Sequence, residues 1–113
     1  MSQDCIFCQI AQGKIEAQVV AQNQDAIAIV DLNPQAPTHI LVIPRIHLSR
    51  IAAAKVDKKA LLGSLLLFAA EVAKTQGVDD YRMVINNGEK AGQTVFHLHL
   101  HLLAGREFSW PPG

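Results

Sequence analysis

A chain of 113 residues predicts one compact domain, large enough to enclose a core and of a size at which oligomerisation commonly adds stability. Its 10 basic residues balance 10 acidic ones, so no long-range field exists to draw in duplex nucleic acid or an anionic membrane surface. Hydrophobic residues make up 50% of the chain, yet no apolar run reaches the roughly 18 residues of a membrane span, and Met1–Asp4 lacks the basic and apolar segments of a secretory signal; the expected location is the cytoplasm.

In chain order, Asp4 is placed to cap a short helix over residues 5–11, ended by Gly13, with Ile6 and Ile10 on one side. Cys5 and Cys8 fall in its first turn, where thiolates are favoured. Their C-x-x-C spacing is too short for a disulfide that staples a fold, and no strand precedes it as in a thioredoxin-like motif. Metal binding therefore ranks above redox chemistry, with a pair of small buried hydrophobes as the plain alternative. Residues 19–22 and 26–30 read as a hairpin around Asn23-Gln24-Asp25. Asp31 ends the second strand beside a proline-punctuated loop, 32–38. A carboxylate in such a place receives ribose hydroxyls in dinucleotide sites, although on position alone a solvated turn aspartate is the simpler explanation.

His39–Ile43 is an apolar strand closed by Pro44, and residues 45–51 form a loop with a short helix. His47, in that loop, is either solvated or a metal partner for Cys5, Cys8 and one more histidine. A long helix is predicted from Asp57 to Thr75 with Gly77 as its stop; Ala60, Leu61, Leu65, Phe68, Ala69 and Val72 form its apolar face and carry no chemistry. A strand over 81–86 leads to loop 87–94. There Gly92-Gln93-Thr94 can offer backbone N–H groups and a hydroxyl to phosphate oxygens, or simply make a hairpin turn. The tail, residues 104–113, is too short to fold alone and ends in Phe, Trp and a proline pair, a composition expected to dock on something such as another subunit.

The chemistry concentrates in His97-Leu98-His99-Leu100-His101-Leu102-Leu103. A period of two places the three histidines on one face of a strand and Leu98, Leu100 and Leu102 on the other, and the lead-in Thr94-Val95-Phe96 favours a strand as well. Packing alone would select Val or Ile, because a buried neutral imidazole needs partners for one donor and one acceptor. Two chemistries suit such a run: nucleophilic catalysis by one histidine held by its neighbours, or zinc held by an H-x-H pair with a bound water as nucleophile.

This run resembles the H-φ-H-φ-H-φ-φ signature of the histidine triad (HIT) family, φ being apolar. Asp31-Leu32-Asn33-Pro34-Gln35-Ala36-Pro37-Thr38-His39 with Ile43-Pro44 resembles the Hint branch, the purine nucleoside phosphoramidases, and Tyr81-Arg82-Met83-Val84, Gly92-Gln93-Thr94 and Trp110-Pro111-Pro112-Gly113 extend the likeness. The resemblance implies an α+β fold, one HIT domain over residues 1–113, with a five-stranded antiparallel sheet, one long helix and a short N-terminal helix. It also implies a homodimer joining two sheets into ten strands, with the 104–113 tail near the partner's site.

It further implies His99 as nucleophile, His39, His97 and His101 as flanking groups, and nucleotide contacts at Asp31, Leu32, Asn86, Gly92, Gln93, Thr94 and Trp110. Cys5, Cys8, His47 and His97 resemble a structural zinc site of some bacterial members, and catalysis itself calls for no cofactor. The implied reaction is attack by His99 on the α-phosphorus of a purine nucleoside 5′-phosphoramidate, or of an aminoacyl-adenylate. An amine leaves, and water hydrolyses the nucleotidyl-histidine. A nucleotide-binding module without turnover and a zinc-dependent hydrolase are the competing expectations.

Overall fold

The computed structural model describes residues 4–113. Five strands form an antiparallel sheet: β1 (Val19–Gln22), β2 (Ala26–Val30), β3 (Thr38–Pro44), β4 (Tyr81–Val84) and β5 (Leu100–Ala104), in the order β1-β2-β3-β5-β4. A six-residue helix, α1 (Ile6–Ala11), lies on one face, and the 17-residue helix α2 (Lys59–Thr75) lies on the other. Among the described residues no helix is long and apolar enough to cross a membrane.

The two faces follow from the pleat. Ala28, Ile40, Val42, Leu98, Leu100 and Leu102 turn toward α2, where they meet Leu65, Phe68, Ala69, Val72 and Ala73 at helical spacing. Each fully buried Leu or Phe there contributes about 1.5–3 kcal/mol. On the opposite face Phe7 and Ile10 of α1 close over Ile27, Ile29, Leu41 and Ile43. With helices on both sides, β2 and β3 are buried nearly throughout, which explains their unbroken apolar runs.

Several boundaries differ from those expected. Cys5, not Asp4, caps α1, its sulfur 3.4 Å from the Cys8 N–H, and Phe7 rather than Ile6 is the buried partner of Ile10. α2 begins at Lys59 after a tight turn over Val56–Lys58, so Ala60 is exposed and Leu61 half-buried, while Leu62 and Ala73 join the core. β4 stops at Val84, and short 3-10 turns occupy Ile51–Ala53 and Glu89–Ala91.

The largest difference lies at the histidine run. β5 starts only at Leu100, so His97, Leu98 and His99 approach the sheet outside the ladder. The Leu98 N–H bonds the Leu48 carbonyl at 2.6 Å instead of a neighbouring strand. Alternation nevertheless survives without ladder pairing: the leucines face α2 and the histidines face α1. Past β5, Gly105 turns the chain at φ +96° so close to loop 32–38 that a Cβ there would stand 2.8 Å from Pro37 Cβ.

Candidate active site and metal-binding cluster

Register across the sheet puts Val19, Ile29, Leu41, His101 and Val84 in one row, on the face covered by α1. Between that row and α1 lies a cavity of about 350 Å³, within the roughly 300–1,000 Å³ typical of small-molecule sites. Its walls are mainly apolar, from Phe7, Ile10, Ile29 and Leu41. Its polar groups are His99, His101, Asp31, Thr94, Glu16 and Gln18.

Backbone groups decide where the imidazole protons sit. His99 Nδ1 lies 2.8 Å from the His97 carbonyl, which can only accept, so Nδ1 carries the proton and Nε2 keeps its lone pair. No buried side-chain nitrogen among the described residues lacks a partner; His99 Nε2 has none from the protein and is therefore accessible from the cavity. Phe7 supports this ring edge-on, centroids 5.0 Å apart.

The second chain of bonds begins at Gln35. Its N–H donates to His39 Nδ1 at 3.0 Å, which places the His39 proton on Nε2. That Nε2–H stands 2.9 Å from His101 Nδ1 and 3.3 Å from the Asp31 carboxylate. His101 accepts on Nδ1 and so carries its own proton on Nε2, the atom left for a ligand. Burial lowers the pKa of His39 and His99, with Asp31 pulling the other way in both and the His97 carbonyl also raising His99. His101 is pushed down to about 4 by burial and by repulsion from His99 and His39. The three rings are consequently neutral at pH 7, the state a nucleophilic imidazole requires.

His97 points elsewhere. Its Nε2–H donates to the Pro44 carbonyl at 2.8 Å, leaving a bare Nδ1 that faces Cys5 Sγ at 3.2 Å, Cys8 Sγ at 3.4 Å and His47 Nδ1 at 3.1 Å. The expected flanking role of the His97 ring is therefore corrected: its carbonyl, not its imidazole, serves His99. Three polar atoms crowd one lone pair that can take a single hydrogen bond in line, an arrangement suited to a shared cation. The ligand atoms all lie within 4.8 Å of one another, and a tetrahedral Cys2His2 zinc site has ligand atoms about 3.3–3.8 Å apart. The four residues fit that ion, with His97 already oriented through its second nitrogen.

Other expected contacts divide. Asp31, Leu32 and Thr94 line the cavity, Leu32 98% exposed at its mouth. Asn86, Gly92 and Gln93 do not. The N–H groups of Gly92 and Gln93 are bonded to the Glu89 and Gly88 carbonyls, so they offer no phosphate nest, and Asn86 sits beneath Gly92. The Gln93 carboxamide accepts from Gly88 N–H and donates to the Ser49 and Val95 carbonyls, pinning the loop. Trp110 is 82% exposed and outside the cavity; the tail is held by Arg82 on the Ser109 carbonyl and by Arg82 and Arg106 over Phe108. Unforeseen were Phe7, Glu16, Gln18 and the Gln35 amide. For Phe7 the signal was present, in its three-residue spacing from Ile10.

The HIT domain family profile matches residues 12–108. The chain belongs to the HIT family. This HIT chain is 53% identical to an uncharacterized HIT-like protein of Synechocystis, the match covering 100% of both. It superimposes on a HIT family hydrolase from Legionella pneumophila with TM-score 0.94 at 45% identity, covering 96% of this chain and 99% of that one. A histidine triad nucleotide-binding protein from Candida albicans matches with TM-score 0.81 at 28% identity, over 95% of this chain and 82% of that one.

Proposed function

We propose that this HIT protein, in the manner of the Hint branch, hydrolyses purine nucleoside 5′-phosphoramidates through a covalent nucleotidyl-His99. The observation that carries the reading is the fixed tautomer of His99, with Nδ1–H on a carbonyl and an Nε2 lone pair open to the cavity. The hydrolase and nucleotide-binding names of its structural neighbours agree with it. Asp31 receives the ribose hydroxyls, and the apolar walls take the base.

Nε2 of His99 forms a bond to phosphorus as the P–N bond breaks, and the amine departs with a proton. His101 Nε2–H donates to a phosphoryl oxygen, where charge builds up in the transition state. Approach of the phosphate anion raises the proton affinity of His101, which takes up a proton from solvent as the substrate binds and delivers it to the amine nitrogen as the P–N bond breaks. Water then attacks phosphorus and gives its proton to His101, the P–Nε2 bond breaks, and His99 regains its lone pair. Cys5, Cys8, His47 and His97 would hold a zinc ion, which would supply a cross-link between α1 and the approach to β5 and no reacting group.

A catalytic metal on Asp31, His39 and His101, whose polar atoms also converge, is disfavoured by protonation. The Gln35 N–H forces the His39 proton onto Nε2, the atom that would have to ligate. A homodimer accords with the open edge at β4 and the exposed Leu66 and Trp110; pairing of two β4 edges would give ten strands. The test is intact-mass analysis of protein quenched after brief mixing with adenosine 5′-phosphoramidate. An AMP adduct is expected on the wild type and none on His99→Ala; turnover without any adduct refutes the covalent route.

A further inference from the structure

The cavity extends past the reacting groups. From β5 it crosses β3 and β2 to the chain just before β1, three strand spacings or about 14 Å, more than phosphate and ribose occupy. With phosphorus at His99 and the ribose at Asp31, the base lies over Ile29 and beneath Ile6 and Ile10, its outer edge toward residues 15–18. That wall is fixed against β2 by the Val30 N–H on the Gln18 carbonyl at 3.0 Å.

Two exposed polar side chains line the cavity there, Glu16 and Gln18, and among the described residues neither side chain has a hydrogen-bond or ion-pair partner. A carboxamide both donates and accepts and so suits any base. A carboxylate only accepts, and therefore discriminates. Guanine presents N1–H and N2–H side by side, matching the two oxygens of one carboxylate. Adenine presents a bare N1 lone pair beside its amino group, and hypoxanthine a single N1–H.

We infer that Glu16 reads the edge of the base and makes this protein select guanosine over adenosine nucleotides, an inference that rests on the nucleotide chemistry proposed above. A charge-assisted pair at a solvent-accessible edge corresponds to roughly a tenfold difference in affinity.

The test is calorimetric titration of the full chain with GMP, IMP and AMP, in the wild type, Glu16→Ala and Glu16→Gln. GMP is expected to bind the wild type about tenfold more tightly than AMP, with IMP between them. In Glu16→Ala the GMP-to-AMP ratio falls to within about twofold of one, with Glu16→Gln intermediate. A merely structural role for Glu16 would weaken all three nucleotides together. An unchanged ratio in Glu16→Ala, or a wild type that prefers AMP, overturns the inference. Equal binding of all three removes it while leaving the phosphoramidase reading standing; binding of none removes both.

Discussion

His97 and His99 are two residues apart on the approach to β5, yet their rings face different surroundings. Each gives one ring N–H to a backbone carbonyl, His97 through Nε2 to Pro44 and His99 through Nδ1 to His97. The choice of nitrogen separates them. His97 is left with a lone pair aimed at two sulfurs and a third imidazole, His99 with one aimed into a cavity. Residue type and spacing are the same in both cases, so it is the acceptor each ring finds that sets where its lone pair points. Phe7 touches both rings edge-on, at 5.9 Å and 5.0 Å, and is the mechanical link between the two regions.

That contrast breaks most visibly under substitution. His99→Ala is expected to lower phosphoramidate turnover by roughly four orders of magnitude or more with little change in thermal midpoint. Cys8→Ala should do the opposite, losing bound zinc and several degrees of stability while turnover at 25 °C falls less than about tenfold. Metal analysis, calorimetry and steady-state rates on both variants decide the matter. Equal losses of turnover in the two would erase the division.

A smaller effect sharpens it. His39→Ala leaves His101 Nδ1 without the donor that fixes its proton on Nε2, so turnover is expected to drop roughly tenfold to a hundredfold. Proton NMR of the His101 ring should show the Nδ1-protonated tautomer appear; a single unchanged tautomer would show that His39 does not set it.

The mildest effect is on stability against pH. His39 and His101 have folded-state pKa values below the ordinary 6.5, His101 at about 4, so between pH 6.5 and 4 the unfolded chain binds protons that the folded chain refuses. Stability is therefore full above about pH 6.5 and declines as the pH falls toward 4. Thermal midpoints measured with chelator present, so that acid release of metal adds nothing, should follow that slope, and His101→Ala should flatten it. A level profile would contradict the burial of these rings.

Local patterning carried much of this structure. β1, β2, β3 and α2 were legible because period-2 and helical apolar spacing state which face is buried, and His97 to His101 because alternation persists with or without a ladder. The onset of β5 was not legible, since it depends on Leu98 bonding to Leu48, 50 residues earlier in the chain. Nor was the separation of His97 from His99, which rests on carbonyl positions that no side-chain pattern encodes. The carboxamide of Gln93 shows another limit: no pattern in its loop announces that folding buries it as a three-bond clamp. Glu16 carries no periodic signal, because its place at the cavity wall is set by the pairing of the preceding segment with β2.

The Gln35 amide bears on how this chain tolerates change. The relay through His39 and His101 starts from a main-chain hydrogen that nineteen of the twenty amino acids possess, so drift at position 35 leaves the chemistry silent. Only an imino acid erases it, and the neighbours Pro34 and Pro37 show how near that residue type already lies. Ancestry could rewrite the side chain there many times over without the imidazoles losing their bearing.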